Sequence, residues 1–147
     1  PAHEQEIIKV LFSPDGKVIV SIGKDNQIKL WNLEGKLLKS WQGHGNNGSL
    51  ILLPIKDISF SPDGRTLVSI GGMDKQVKLW NLSGELLKKW QVSHQLMTSI
   101  NFSPDGKMVV AAFDNTVKIW NLNGKLLSTL SGHTENIAFV SLSPDGK

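Results

Sequence analysis

The chain has 147 residues, of which 39% are apolar and 20% are charged, a composition typical of one globular domain. It contains no cysteine, which excludes disulfides and thiolate metal sites. The net charge is +3, and single lysines alternate with acidic residues, which argues against a nucleic-acid-binding stripe. The chain shows no charged-then-apolar start and no apolar run near the roughly 20 residues that span a bilayer, so we expect a soluble, cytoplasmic protein without membrane contact.

Short runs rich in Ile, Val and Leu, separated by turn residues, follow one another along the whole chain. No run of ten residues shows a helical period, so we expect strands only. The first repeat predicts strands near 7–12, 17–22, 26–32 and 36–41. The second predicts strands near 55–60, 65–70, 75–81 and 85–90, and the third near 97–102, 107–112, 115–121 and 125–130. One more strand is predicted near 137–142.

Two markers recur in register with these strands. Ser-Pro-Asp-Gly, a turn sequence with a permissive glycine, occupies 13–16, 61–64, 103–106 and 143–146. "IKLWNLEGKLL" returns as "VKLWNLSGELL" and "VKIWNLNGKLL", with tryptophans at 31, 80 and 120. A period of about 40 to 45 residues is that of a four-stranded propeller blade.

These residues resemble the WD-repeat β-propeller family over essentially all of the chain. The resemblance rests on Gly-His at 43–44 and 132–133, on Phe-Ser-Pro-Asp-Gly, on an Asp six residues before each repeat Trp, and on Trp-Asn in place of the usual Trp-Asp. It implies an all-β fold with three complete antiparallel blades and the innermost strand of a fourth. The blades would cover residues 1–43, 44–92 and 93–131, and the fourth would start in 132–147.

Propellers close with about 4 to 8 blades, so we expect that one such chain cannot close its ring. Two completions remain open. Copies of the chain could join head-to-tail through their blade faces, or the chain could be part of a longer propeller. The spare innermost strand would compete with residues 1–16 in a simple ring of copies, which favours a fragment or a domain-swapped junction.

Histidine, serine and aspartate recur at fixed places in each repeat, which raises the possibility of nucleophilic catalysis. The resemblance implies a structural hydrogen-bond network instead, and its repetition in every blade agrees, because a catalytic site is needed only once. We therefore predict that the chain is not an enzyme. Ala111 replaces the serine in the third set, which predicts a weaker network there. The network residues are His3, Ser21, Asp25 and Trp31; His44, Ser69, Asp74 and Trp80; and His94, Asp114 and Trp120.

No cofactor or metal is expected, because one histidine per repeat is not a ligand cluster and the glycines follow no phosphate-binding pattern. Binding is expected in loops on the rigid scaffold. The loop 45–54 is longer than its counterparts and contains four aliphatic residues, which either anchor a partner, or lengthen the first strand of the blade or fold back over the ring. The resemblance adds positions at the upper face of the propeller, of which Met73 and Phe113 either project outward or pack inward. The partner-binding candidates are Glu6, Ile8, Lys24, Leu50, Ile51, Leu52, Leu53, Lys56, Met73, Leu96, Thr98 and Phe113.

The resemblance implies a non-catalytic scaffold that binds a protein or peptide. Bacterial members with this style of repeat often follow signalling ATPase, kinase or protease domains, which favours the sensor segment of a larger bacterial signalling protein. The alternative is a partial propeller, natural or engineered, whose main property is self-assembly into a closed ring.

Overall fold

The computed structural model describes residues 3, 6–44, 55–72, 74–92, 97–113 and 115–131. These residues form twelve strands in three antiparallel sheets, in which each strand pairs with the next one along the chain. We call the sheets blades 1, 2 and 3. Within the described ranges there is no helix, and no sheet closes on itself. The all-β fold of four-stranded blades is thus confirmed, while the strand expected near 137–142 lies outside the described residues.

The strands have similar bounds in each blade. Blade 1 contains β1 (Ile7–Phe12), β2 (Val18–Gly23), β3 (Gln27–Asn32) and β4 (Leu37–Gln42). Blade 2 contains β5 (Ile55–Phe60), β6 (Thr66–Gly71), β7 (Gln76–Asn81) and β8 (Leu86–Gln91). Blade 3 contains β9 (Ser99–Phe102), β10 (Met108–Ala112), β11 (Thr116–Asn121) and β12 (Leu126–Ser131).

The Ser-Pro-Asp-Gly turns join the first two strands of each blade. In blade 1 the Ser13 hydroxyl donates to Asp15 Oδ1 at 2.7 Å and accepts the Val18 amide at 3.1 Å. Gly16 completes the turn with φ of 74°, a conformation that glycine adopts without strain. Blades 2 and 3 repeat these bonds from Ser61 and Ser103.

Two apolar layers hold the blades together. One lies between blades 1 and 2 and includes Ile22, Ile58 and Trp80. The other lies between blades 2 and 3 and includes Ile70, Ile100 and Trp120. In blade 2, β6 and β7 contribute side chains to both layers, because successive side chains of a strand point to opposite faces of the sheet. The innermost strands β1, β5 and β9 lie next to one another along the stack.

Candidate functional site: buried polar networks and the loops beside them

Blade 2 contains an unbroken chain of side-chain hydrogen bonds. Nδ1 of His44 lies 2.6 Å from Oδ2 of Asp74, and Nε2 of His44 lies 2.9 Å from the Ser69 hydroxyl. The indole Nε1 of Trp80 donates to the same hydroxyl at 2.9 Å. Ser69 and Trp80 come from adjacent strands, and His44 and Asp74 from the loops at one end of the blade, so the network ties those loops to the sheet.

The direction of these bonds follows from their chemistry. Trp80 can only donate, so the Ser69 oxygen accepts from it and the Ser69 hydroxyl donates to Nε2 of His44. Nδ1 of a neutral His44 then donates to the Asp74 carboxylate. Burial lowers the pKa of His44, and the hydrogen bond to Asp74 opposes this only in part. Every member of the network thus has a hydrogen-bond partner, and the imidazole at the centre of the network is neutral.

Blade 1 repeats the network with His3, Ser21, Asp25 and Trp31. Nε2 of His3 lies 2.7 Å from the Ser21 hydroxyl, which also accepts Trp31 Nε1 at 2.9 Å. Nδ1 of His3 lies 3.0 and 3.1 Å from the two oxygens of Asp25. The difference between the blades lies in the tryptophan, which is half-buried at Trp31 and buried at Trp80.

Glycines make room for the histidine rings. A Cβ atom built on Gly23 would lie 2.8 Å from Nδ1 of His3, and one built on Gly71 would lie 2.8 Å from Nδ1 of His44. Such distances are too short for any other residue without movement of the ring. In blades 1 and 2, the glycine at this position is therefore required for the histidine to reach its partners.

Blade 3 fills the equivalent place differently. Register with the neighbouring strand puts Phe113 where blades 1 and 2 have Gly23 and Gly71. Phe113 is 0% exposed, and its ring lies 6.3 Å from that of Trp120. Ala111 takes the place of the serine and is buried. His94 and Asp114 lie outside the described residues, so the weaker third network stays a prediction.

Phe113 is therefore a core residue and does not line an exposed face. The turn after β10 is shorter than in the other blades, and the Phe113 amide donates to the Thr116 carbonyl at 2.8 Å. This shift places the aromatic residue at an inward-facing position, where it packs with Met97 in the layer between blades 2 and 3. Of the two alternatives for Phe113, the structure shows the inward one, so Phe113 is not an exposed partner-binding residue.

The Ser–His–Asp geometry alone would permit proton transfer, but its setting does not favour catalysis. Ser69 and His44 are buried, and the Ser69 oxygen already accepts the Trp80 indole, so the hydroxyl presents no free face to a substrate. A triad nucleophile must instead be within reach of the bond that it attacks. Within the described part of the chain, no group of three His, Asp or Glu side chains could hold a metal ion.

The other surface candidates lie close to the network loops. The Lys24 ammonium lies 2.5 Å from Oε2 of Glu6, and both side chains are exposed. This hydrogen bond, together with the charge of Lys24, lowers the pKa of Glu6. The Lys24 amide also donates to the Glu6 carbonyl at 2.8 Å, so the two loops are joined by backbone as well.

Ile8 and Lys56 occupy equivalent bulges, where the register of the innermost strand shifts by one residue. Lys56 is exposed, whereas Ile8 is half-buried and packs against the layer between blades 1 and 2. Thr98 is half-buried, and its hydroxyl donates to the Ala112 carbonyl at 3.3 Å. The remaining candidates, Leu50, Ile51, Leu52, Leu53, Met73 and Leu96, lie outside the described residues.

Asp57 is a buried charged residue that the sequence does not single out. Its Oδ1 lies 2.6 Å from Nζ of Lys9 in blade 1, and its Oδ2 accepts the Ile100 amide of blade 3 at 3.0 Å. One carboxylate thus connects the innermost strands of all three blades. The corresponding positions hold Lys9, Asp57 and Ser99, so comparison of the repeats gives no signal for it.

The described residues include no helix that is both long and apolar enough to cross a membrane.

Comparison with known proteins agrees with this architecture. The chain is 34% identical over 113 residues to the small ribosomal subunit protein RACK1 of Drosophila melanogaster, which covers 76% of this chain and 33% of that protein. It is 33% identical over 69 residues to eukaryotic translation initiation factor 3 subunit I of Phaeosphaeria nodorum, covering 46% of this chain and 18% of that protein. It is 49% identical over 39 residues to ribosome assembly protein 4 of Chaetomium thermophilum, covering 26% of this chain and 8% of that protein.

The chain thus spans a third or less of the length of these relatives. The family model of the WD domain, G-beta repeat, matches residues 1–32, 35–81, 84–121 and 124–147. These matches include each Ser-Pro-Asp-Gly turn and each repeat tryptophan. The chain therefore belongs to the WD40 repeat family.

Proposed function

We propose that the chain is a non-catalytic scaffold that binds a protein or peptide through its upper face, defined by Glu6, Ile8, Lys24, Lys56 and Thr98. Membership of the WD40 repeat family and the WD-repeat relatives support an interaction scaffold in general. The observation that carries the finer proposal is the bulge at Lys56. A bulge changes the direction in which one side chain projects. On β5 the bulge leaves the Lys56 ammonium exposed at the start of the strand, whereas the other end of the strand is buried.

The buried networks make this face a rigid one. His3 and Asp25 fix the loops of blade 1 that carry Glu6 and Lys24, because the His3 ring binds both the Ser21 hydroxyl and the Asp25 carboxylate. Loops on a rigid scaffold lose little conformational freedom when they bind, which favours affinity. Exposed Lys56, together with exposed Lys24 and its partner Glu6, suits a partner with acidic side chains next to an apolar one.

Selection from a displayed library of random peptides tests this function. We expect the wild-type chain to enrich acidic peptides, and the double variant Lys24→Glu, Lys56→Glu to lose them. The variant Lys39→Glu, Lys88→Glu carries the same change of charge on the exposed outer strands β4 and β8 and serves as the control. Equal loss in both variants would show a general charge effect and would contradict binding at the upper face.

We also propose that this scaffold is the sensor segment of a larger bacterial signalling protein, which the style of its repeats supports. The mass of the native gene product, measured with an antibody against this chain, checks it. We expect a much larger polypeptide that also contains a signalling domain. A native product of this chain's length would contradict the proposal.

A second candidate function is assembly through blade faces, with other copies of the chain or with the rest of a longer propeller. It is favoured by Val10 and Phe12, which are large apolar residues exposed on blade 1. Light scattering of the chain over a range of concentrations is the test. We expect a mass that rises to a multiple of the monomer, and a constant monomer mass would contradict self-assembly.

A further inference from the structure

Both junctions between blades contain the same indole contact. Trp41 on β4 of blade 1 lies over Gly84 in the β7–β8 turn of blade 2, such that a Cβ built on Gly84 would lie 3.0 Å from the ring. The ring centroid of Trp41 is 5.9 Å from that of Trp80. Because Gly84 has φ of 86° and no side chain, the turn can lie directly against the ring.

Trp90 repeats this arrangement at the next junction. A Cβ built on Gly124 in the β11–β12 turn would lie 3.0 Å from the Trp90 ring, and the ring centroids of Trp90 and Trp120 are 6.1 Å apart. The junction therefore has two halves. The outermost strand of one blade supplies an indole, and the next blade supplies a turn glycine and the tryptophan of its third strand.

Blade 1 contains the receiving half of such a junction. Gly35 in the β3–β4 turn has φ of 85°, like Gly84 and Gly124, and Trp31 corresponds to Trp80 and Trp120. None of the described residues places an atom within 4 Å of a Cβ built on Gly35. Trp31 is half-buried, whereas Trp80 and Trp120 are buried.

The rest of the same face is apolar and exposed. Val10 and Phe12 are 52% and 64% exposed, whereas their counterparts in blade 2, Ile58 and Phe60, are 0% and 9% exposed. In blade 2 these positions pack against blade 1, in the layer that includes Ile22. The exposed residues of blade 1 thus belong to a surface that is covered wherever another blade precedes it.

We propose that this surface, the indole-receiving face (Val10, Phe12, Trp31 and Gly35), docks a four-stranded blade whose outermost strand carries a tryptophan at the position of Trp41 and Trp90. The inference rests on the blade-face assembly proposed above and specifies its occupant. It follows from continuity with the two junctions inside the chain, where the same receiving groups hold an indole. The indole packs against the turn glycine and lies tilted by 48° or 52° against the second aromatic ring, which gives it more contact there than a branched aliphatic side chain.

Blade 3 of this chain does not carry that tryptophan. Leu130 pairs with Val117 as Trp90 pairs with Val77, so Leu130 occupies the indole position on β12, where it is 52% exposed. A second copy that approached through blade 3 would place a leucine against Gly35. We therefore expect unmodified copies to associate weakly, and a copy with an indole at this position to associate more tightly.

Sedimentation equilibrium of the full chain and its variants tests this. We expect Leu130→Trp to lower the dissociation constant for self-association about tenfold, which is the effect of one aromatic pair together with its added burial. Thr129→Trp adds the same ring to the opposite face of β12 and should leave association unchanged. Phe12→Asp, on the exposed receiving face, should abolish the gain. Leu38→Asp should not, because Leu38 and its counterparts Leu87 and Leu127 are exposed in all three blades.

A second measurement does not depend on Leu130. A copy of residues 44–92, which carries Trp90, is joined before residue 1 of the full chain. The urea midpoint of this extended protein is compared with that of the same extended protein carrying Trp90→Leu in the added copy alone. We expect the added repeat to raise the midpoint of the chain, and Trp90→Leu to remove much of the rise.

The outcomes separate this inference from the assembly on which it rests. If Phe12→Asp weakens association of the unmodified chain while neither Leu130→Trp nor Trp90→Leu has an effect, assembly through blade faces stands and the indole-bearing occupant is overturned. If Phe12→Asp has no effect on any association, both are overturned. A gain with Leu130→Trp that Phe12→Asp abolishes, together with the loss from Trp90→Leu, supports the proposal.

Discussion

Removal of one hydroxyl from the buried network of blade 2 should destabilise the chain strongly. In Ser69→Ala, the Trp80 indole loses its acceptor and Nε2 of His44 loses its donor, and both side chains are buried. Each buried group left unpaired costs about 1–3 kcal/mol, so for the two groups we expect a loss of about 2–6 kcal/mol in the free energy of unfolding. That would be a large part of the stability of a domain of this size.

The matched substitution in blade 1 should have a smaller effect. In Ser21→Ala the same two bonds are lost, but Trp31 is half-buried and its Nε1 can find water more readily. We therefore expect a loss of about 1–2 kcal/mol, within the range for one orphaned group. The comparison holds the chemical change constant and varies only the burial of the partner.

Urea unfolding followed by tryptophan fluorescence provides the measurement, with Ser40→Ala on the exposed strand β4 as a control that should stay within about 0.5 kcal/mol of the wild type. A loss below about 0.5 kcal/mol for Ser69→Ala would show that the network contributes little. A larger loss for Ser21→Ala than for Ser69→Ala would refute the dependence on burial.

Three further results are expected. Burial lowers the pKa of His44 below its ordinary 6.5, so the folded state binds a proton on this imidazole less readily than the unfolded state does. The stability that neutral His44 contributes is therefore fully present above about pH 6.5 and is lost as the pH falls below that value. His44→Gln should flatten this part of the pH–stability profile measured by urea unfolding. Phe113→Ala should lower stability by about 3–5 kcal/mol in the same assay, because it opens a cavity against Trp120, and a loss below about 1 kcal/mol would contradict its place in the core. Gly35→Ala should cost about 1–2 kcal/mol through its positive φ alone, and Gly84→Ala about 1 kcal/mol more, because its Cβ also meets the Trp41 ring; equal midpoints for the two variants would show that this contact is unimportant.

The strands were predictable because the sequence repeats both their pattern and their turns. The predicted ranges 7–12 and 55–60 agree with Ile7–Phe12 and Ile55–Phe60, and most others differ by one residue. The largest difference is in β9, which starts at Ser99 and not at residue 97. Alternation of buried and exposed residues identifies a strand, and Ser-Pro-Asp-Gly marks where it turns, so both boundaries are encoded locally.

The packing partners were less predictable, since they depend on register between segments that are far apart. Asp57 bridges three blades, yet the repeats show three different residue types at its position. Phe113 follows a strand with the same pattern as its counterparts, but a shorter turn moves it to the glycine position. The available signals were indirect: the missing serine at Ala111 and the missing glycine at Phe113 occur together, which indicates that one site has changed as a unit.

That joint change leads us to expect different consequences for the loss of a serine hydroxyl in blades 2 and 3. Removing one partner from a buried hydrogen-bonded group leaves the others unsatisfied, whereas replacing several partners by apolar groups of suitable shape is close to neutral. In blade 2 the hydroxyl of Ser69 has two polar partners, so its removal leaves both without a hydrogen bond and costs the full free energy of two unpaired groups. In blade 3 Ala111 lies in the same apolar layer as Phe113, whose ring packs against Trp120. The Trp120 indole is the counterpart of the one that donates to Ser69, so a serine introduced at Ala111 would gain a donor but would place its hydroxyl in an apolar layer. We therefore expect Ala111→Ser to change the free energy of unfolding by less than about 1 kcal/mol, and a larger gain in urea unfolding would contradict this account.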